Sequence, residues 1–238
     1  MKNKLISVII PIFNEEKNIA LIYAALLEVW VKLPKYDYEF IFVNDGSTDH
    51  SSLAVDVITL KDEGVKYIEF SRNFGKEMAT TAGIESATGD AVIVIDGDLQ
   101  HPPSLIPEFI SRWEGGAEVV IGIRTRNHGE GLMRWGGSTL FYRIMGLISE
   151  TEMAQGETDF RLIDRAVAIV FKSLPEHKRM TRSLINWLGF IKELVYFEAQ
   201  ARLHGEAKYS LGKLFHLALY SFASNSLLPL RLTGYLGV

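Results

Sequence analysis

The residues best suited to chemistry stand in the stretch VIVIDGDLQHPP, Val92 to Pro103. An apolar, β-favouring run leads straight into Asp96 and Asp98, with Gly97 between them and Gln100 two residues on. Paired carboxylate oxygens suit Mg2+ or Mn2+, hard cations that protein sites commonly share with substrate phosphates. Gln100 can add an amide oxygen. In extended backbone alternate side chains point to opposite sides, so the two aspartates converge only through a turn, which Gly97 makes easy. The same residues also suit a plain polar turn, and taken alone they leave both readings open. His101, beside two prolines, reads as a turn residue rather than a ligand.

Three other apolar stretches end in comparable chemistry. They run into Pro11-Ile12-Phe13-Asn14-Glu15, Asn44-Asp45-Gly46-Ser47-Thr48-Asp49 and Ser71-Arg72-Asn73-Phe74-Gly75-Lys76. Asp49 has the character of a helix N-cap, and Gly46 that of a residue with positive φ. Any one such segment suits an ordinary capping turn. Their convergence on one edge would make a functional cleft.

The elements that must hold these turns alternate. Strands are expected at Ile6–Ile10, Glu39–Val43, Lys66–Phe70, Ala91–Ile95 and Glu118–Ile121, with helices near Glu15–Trp30, Asp49–Leu60, Lys76–Ala87 and Ser104–Trp113. In the last helix Ile106, Phe109, Ile110 and Trp113 fall on one face. Such alternation predicts an α/β fold, a mostly parallel sheet flanked by helices, whose ligands bind beyond the carboxyl ends of the strands. Further along, Arg124 to Gly137 reads as a loop carrying Arg124, Arg126, Arg134 and His128. Helices are expected at Ser138–Ser149, Asp164–Ser173 and Met180–Leu188, and a strand at Glu193–Ala199.

Composition excludes several function classes. The 238 residues carry a net charge of −4, which gives no reason to expect nucleic acid. With 0 cysteines, disulfides and thiolate metal sites are ruled out. The first strand-to-helix turn has no glycine, unlike a dinucleotide-binding unit, and no Walker motif occurs. A bound nucleotide therefore needs another counter-charge for its phosphates, and Asp96 and Asp98 provide one through a metal.

The N-terminal apolar run stops at Pro11 and lacks a cleavage site, so it reads as a first strand rather than a signal peptide. At the other end no acidic residue follows Glu206, whereas Lys208, Lys213 and Arg231 remain. Ser210–Phe222 has apolar residues at 211, 214, 215, 218, 219 and 222, an amphipathic helix pattern. The final SLLPLRLTGYLGV is apolar and lacks a helix-ending signal, as though it opened a longer segment. An apolar end of this kind is either exposed or packed against another copy of the chain, a homo-oligomer.

The segments SVIIPIFNEEKNI, VNDGSTD, FSRNFGKE, DGDLQHPP and TDFRLIDR occur in the order and spacing of family 2 glycosyltransferases. From Ser7 to Val238 the chain resembles the bacterial polyprenyl-phosphate glycosyltransferases, relatives of dolichol-phosphate mannose synthase. The resemblance implies a GT-A fold. It implies that Pro11, Phe13, Glu15, Val43 and Asp45 hold the nucleoside, and that Asp96, Asp98 and Gln100 hold the metal, with Gly97 at a backbone contact. Lys76 joins the donor-binding set. Arg124 matches a loop arginine on the diphosphate or acceptor phosphate. Arg202, Gly205 and Lys208 match a phosphate-binding segment, here RLHGEAKYS, with Ala207 where serine is usual. Asp159 matches a candidate base, although orienting Arg161 or the sugar, or capping a following helix, suits it equally.

The implied function is inverting transfer of a sugar from a nucleotide-sugar donor, UDP-linked hexose by expectation, to a polyprenyl phosphate such as undecaprenyl phosphate. The implied location is the cytoplasmic face of the membrane. Residues 1–209 would be catalytic, 210–226 an interface helix on the membrane surface, and 227–238 the start of a truncated membrane span. Two alternatives stay open: a family 2 enzyme acting on a glycan or protein, and a non-catalytic nucleotide-sugar-binding scaffold.

Overall fold

The β-branched and aromatic runs of the first half form strands because a central parallel sheet is covered on both faces and rewards continuous apolar sequence. The computed structural model describes residues 3–125, 154, 156–176 and 179–198. Its strands are β1 (Lys4–Ile12), β2 (Tyr36–Asn44), β3 (Val65–Glu69), β4 (Ala91–Val94), β5 (Val119–Thr125), β6 (Glu157–Asp164) and β7 (Lys192–Glu198). The helices are α1 (Glu16–Trp30), α2 (Ser51–Thr59), α3 (Lys76–Ser86), α4 (Ile106–Glu114), α5 (Arg165–Ser173) and α6 (Thr181–Trp187). A 3-10 turn over Pro103–Leu105 leads into α4, where a single helix from Ser104 was expected.

The strands make one seven-stranded sheet in the order β3-β2-β1-β4-β6-β5-β7. β1 pairs in parallel with β2 and β4, and β2 with β3. The other half is mixed: β6 runs antiparallel to both β4 and β5, and β7 is parallel to β5. The expected mostly parallel α/β sheet is therefore present, with one reversed strand inserted beside β4.

One core lies between the sheet and α1, α2 and α4, built from residues such as Ile10, Ile22, Phe42, Val55, Phe109 and Phe160. Ile106, Phe109 and Ile110 form the buried face of α4 read from the sequence. Trp113 packs against the same core, and its Nε1 donates to Asp164 at 2.7 Å. On the other face α3 lies so close to β1 that a Cβ on Gly83 would stand 2.3 Å from Ile9 Cγ2. That approach requires glycine.

β6 corrects the sequence reading, which had no strand over TDFRLID. All eight residues from Glu157 to Asp164 belong to it, with Phe160 and Leu162 in the core and Arg161 on the opposite face. Asp159 therefore does not cap a following helix. Asp164 does, accepting from the Ala166 N–H at 2.7 Å.

Candidate active site

The carboxyl ends of β1, β2 and β4 lie on one edge, beside the point where the chain order of the strands reverses. Ligands of open α/β sheets bind at such points. The turns after β1 and β2 are locked to each other. Asn14 sits at φ 56° and its side-chain oxygen accepts from the Thr48 N–H at 2.8 Å, while its N–H donates to Ser47 Oγ. Asp49 accepts from the Ser51 N–H at the start of α2 and from the Glu16 N–H at the start of α1. Glu16 reciprocates by accepting from the His50 N–H at 3.0 Å. Asp49 is not itself the N-cap, as expected from the sequence; that position is His50, one residue later, but the Asp49 carboxylate takes the first N–H of both helices. Burial pushes its carboxyl up, but the Ser51 and Glu16 donors outweigh this and hold it below the ordinary range.

Gly46 takes the expected positive φ, 67°, and a Cβ there would lie 2.4 Å from the Arg72 carbonyl carbon. This close approach brings the turn after β3 against the turn after β2. An open cleft of about 790 Å3 results, lined by Phe13, Gly46, Ser47, Thr48, Glu69, Phe70, Ser71, Arg72 and Asn73. The Arg72 guanidinium stacks 4.0 Å from the Phe74 ring. Of the expected nucleoside residues, Phe13 lines this cleft. Glu15, half-buried, accepts from Asn18 Nδ2 at 2.6 Å at the start of α1. Pro11 and Val43 are buried in their strands, Val43 with no exposed surface. Asp45 is also buried, and its carboxylate accepts from the N–H groups of Phe74 at 2.7 Å and Gly75 at 2.9 Å. It thereby fixes the start of α3 and the position of Lys76.

Beyond β4 the chain turns at Gly97 and Asp98, but the left-handed residue of this turn is Leu99, at φ 60°. Gly97 serves a close approach: a Cβ would stand 3.1 Å from Ile12 Cγ2. Asp98 is buried and accepts from the Gln100 N–H at 3.1 Å. Gln100 Oε1 accepts from Arg124 Nη2 at 3.2 Å, which joins the expected metal-site amide to the expected phosphate arginine. His101 is no exposed turn residue. It is buried, stacks on Phe160 with centroids 5.4 Å apart, and its Nδ1 accepts from the Asp96 N–H. Burial lowers its pKa, which keeps the imidazole neutral and able to accept.

The antiparallel register brings in the last partner. Val94 lies opposite Arg161, so two residues further along Asp96 comes opposite Asp159. Two carboxylates so placed would repel, and Lys76 stands between them. Its Nζ is 2.5 Å from Asp96 Oδ1 and 2.7 Å from Asp159 Oδ2. Arg182 of α6 takes the other oxygen, with Nη2 at 2.7 Å from Asp159 Oδ1. Burial pushes the Asp159 carboxyl up, but Lys76 and Arg182 outweigh it and hold the group well below the usual carboxylate range. Burial lowers the Lys76 pKa and the two aspartates raise it further, so the net shift is upward and the ammonium stays charged.

Sequence reasoning did not single out Arg182 or Glu77. Glu77 accepts from the Thr181 N–H at 2.9 Å, so the residue after Lys76 fixes the start of the helix that carries Arg182. Arg161, fully buried, donates to the Thr158 carbonyl at 2.9 Å and pairs with Glu157 at 3.3 Å. Arg202, Gly205 and Lys208 lie outside the described residues, as do 126–153, 210–226 and 227–238. Among the described residues no helix is long and apolar enough to cross a membrane.

The donor set suits a divalent cation that is only partly held by protein. Asp96 Oδ1 is buried, and the donor facing it is the Lys76 ammonium. Among the described residues no three carboxylate or imidazole groups cluster to hold a metal alone, so phosphate and water oxygens would complete the shell.

A model of glycosyl transferase family 2 matches residues 7–174. An uncharacterized glycosyltransferase of Synechocystis sp. is 40% identical over 232 residues, covering 98% of this chain and 73% of that protein. A prophage bactoprenol glucosyl transferase homolog of Escherichia coli is 36% identical, covering 98% of this chain and 76% of that protein. The fold is similar to that of a Pyrobaculum calidifontis mannosyltransferase in complex with GDP-Man and Mn2+. The TM-score is 0.61 at 17% identity, over 86% of this chain and 59% of that one. It is similar also to a Mycobacterium tuberculosis glucosyl-3-phosphoglycerate synthase with Mn2+, UDP and phosphoglyceric acid. There the TM-score is 0.63 at 18% identity, over 94% of this chain and 78% of that one. From its strand ends to its five motifs, this chain belongs to glycosyl transferase family 2.

Proposed function

We propose that the protein transfers a sugar from a nucleoside diphosphate donor, UDP-linked, to a polyprenyl phosphate at the cytoplasmic membrane face, with inversion at the anomeric carbon. The observation that carries this reading is the union of two features on one sheet edge. An open cleft of about 790 Å3, ample for a nucleoside, lies beyond β1–β3, and the Asp96–Asp98 turn lies beyond β4. The acceptor class is supported by the 36% identity to proteins named bactoprenol glucosyl transferase.

In this reading Phe13 and the Gly46–Thr48 turn seat the nucleoside. Asp96 and Asp98, with Gln100, would hold Mg2+ or Mn2+, which supplies positive charge to the departing diphosphate. Arg124, held by Gln100, adds a second cation to the same phosphates. A phosphate acceptor is mostly ionised at pH 7, its second pKa being about 6, so it needs orientation more than deprotonation. Asp159 suits orientation: with Lys76 on one oxygen and Arg182 on the other, it aligns two cations instead of collecting a proton. Inversion follows from attack on the sugar face opposite the diphosphate.

The test is incubation of the full chain with a panel of nucleotide sugars and undecaprenyl phosphate, in Mn2+ or in chelator, with the lipid product read by mass. A metal-dependent gain of one sugar on the lipid phosphate is expected. Sugar transfer to a glycan or protein without lipid phosphate would replace the acceptor. Tight donor binding without any product would leave a binding protein.

A further inference from the structure

Lys76 holds an unusual position for a residue beside a metal site. Its ammonium touches the buried Asp96 Oδ1 at 2.5 Å and is the donor that oxygen faces. Among the described residues it is the one lysine or arginine in ion-pair contact with Asp96. The other oxygen of Asp96 faces His101 Nδ1 at 3.6 Å, and that nitrogen accepts the Asp96 N–H, so it is no cation there.

We propose that Lys76 is a resident cation that competes with the divalent metal for Asp96 and makes metal binding depend on the nucleotide. The inference rests on the metal reading of Asp96 given above. Mg2+ takes its oxygen ligands at about 2.0–2.1 Å. A dication at that distance and an ammonium on the same oxygen repel strongly in a partly buried site. The ammonium therefore has to leave Asp96 when the metal arrives. Its departure is short, because Asp159 Oδ2 at 2.7 Å already forms a second anchor and the four-carbon stem is flexible. The backbone of Lys76 does not move with it, since Asp45 fixes Phe74 and Gly75 at the start of α3. A nucleoside diphosphate offers the released ammonium a new anionic partner. Metal alone thus meets an occupied site, whereas metal and diphosphate together satisfy every charge. By linkage, each then raises the affinity of the other by the same factor.

The experiment titrates Mn2+ into the full-length protein with and without UDP, reading free Mn2+ by electron paramagnetic resonance. Wild type is compared with Lys76→Met, Lys76→Gln, Arg182→Met and Asp96→Asn, each checked for folding by circular dichroism. Both Lys76 variants are expected to bind Mn2+ at least tenfold more tightly without UDP, and to lose most of the UDP enhancement. Arg182→Met, which removes a charge from Asp159 but none from Asp96, should change Mn2+ affinity less than threefold. Unchanged or weaker binding in the Lys76 variants overturns the proposal. Equal tightening by Arg182→Met overturns it too, reducing the effect to general charge. Asp96→Asn separates the two levels. If it abolishes Mn2+ binding while the Lys76 variants stay neutral, only the competition fails. If it leaves Mn2+ binding intact, the metal reading fails and the competition falls with it.

Discussion

Arg182 and Asp159, 23 residues apart in the chain, meet through a single oxygen: Nη2 and Nε lie 2.7 and 3.2 Å from Oδ1. This leaves Oδ2 to Lys76, so a carboxylate at the centre of the site has both oxygens engaged by cations.

A carboxylate so held makes a poor base. The pH–rate profile of the wild type should carry an acid limb near pH 6, belonging to the acceptor phosphate, whose second pKa is about 6. In Asp159→Asn the residual rate should fall at least a hundredfold while that limb persists. Loss of the limb in the variant would make Asp159 the base.

Asp98→Asn should abolish metal-dependent transfer, a loss of a hundredfold or more, without altering the melting temperature by more than a few degrees. The asparagine oxygen can still accept the Gln100 N–H, so the turn keeps its shape. Chelation of the wild type should reproduce the loss, and added Mn2+ should restore it. Undiminished turnover on undecaprenyl phosphate would dismiss Asp98 from the site.

Gly46→Ala should damage the nucleoside cleft. The left-handed backbone costs a β-carbon about 1–2 kcal/mol. The new Cβ also meets the Arg72 backbone, which has to move. Equilibrium unfolding in urea should register a loss of about 2 kcal/mol or more. UDP affinity by calorimetry should fall at least tenfold. Normal UDP binding would mean that the approach of the two turns is not needed for the cleft.

At the opposite end of the strands Glu39 is buried, accepting from Ser7 Oγ and the Thr88 N–H and pairing with Lys66. Burial pushes its carboxyl up, but these partners outweigh it and the folded pKa lies below the ordinary 4.5. The stability Glu39 adds is therefore fully present above about pH 4.5 and is lost as pH falls through its folded value. Glu39→Gln should lower unfolding free energy at pH 7 by about 1–3 kcal/mol. It should also flatten the decline below pH 4.5, as urea titrations at pH 7, 4 and 3 would reveal. An unchanged slope would assign the acid loss elsewhere.

How far the sequence discloses this site follows from how local each part is. The Asp96–Asp98 turn and the positive φ of Gly46 depend on neighbours within a few residues, and pattern alone finds them; the Asp49 reading falls one residue short of the true N-cap, His50. β6 is harder. Its alternation of Phe160 and Leu162 with Asp159 and Arg161 is a strand signal, but a buried arginine in a central strand disguises it. Nothing local links Arg182 or Lys76 to Asp159, because those contacts depend on the β4–β6 register. That pairing is antiparallel in a sheet whose first half is parallel throughout. The His101 stack on Phe160 is equally a product of β6.

The interlock of the first two turns, Asn14 with Ser47 and Thr48 and Asp49 with Glu16, bears on affinity. The Glu16 and His50 N–H groups, otherwise left at helix starts, are filled in this way, and so are the turn N–H groups of Asn14 and Thr48. The floor of the cleft is therefore assembled before any ligand arrives. A nucleoside entering it incurs little loop-ordering entropy, so more of its contact energy appears as binding. Under the proposed function, the base and ribose would thus act as a handle for a preorganised seat, delivering the reactive end of the donor to Asp96 and Lys76 while taking no part in the bond exchange.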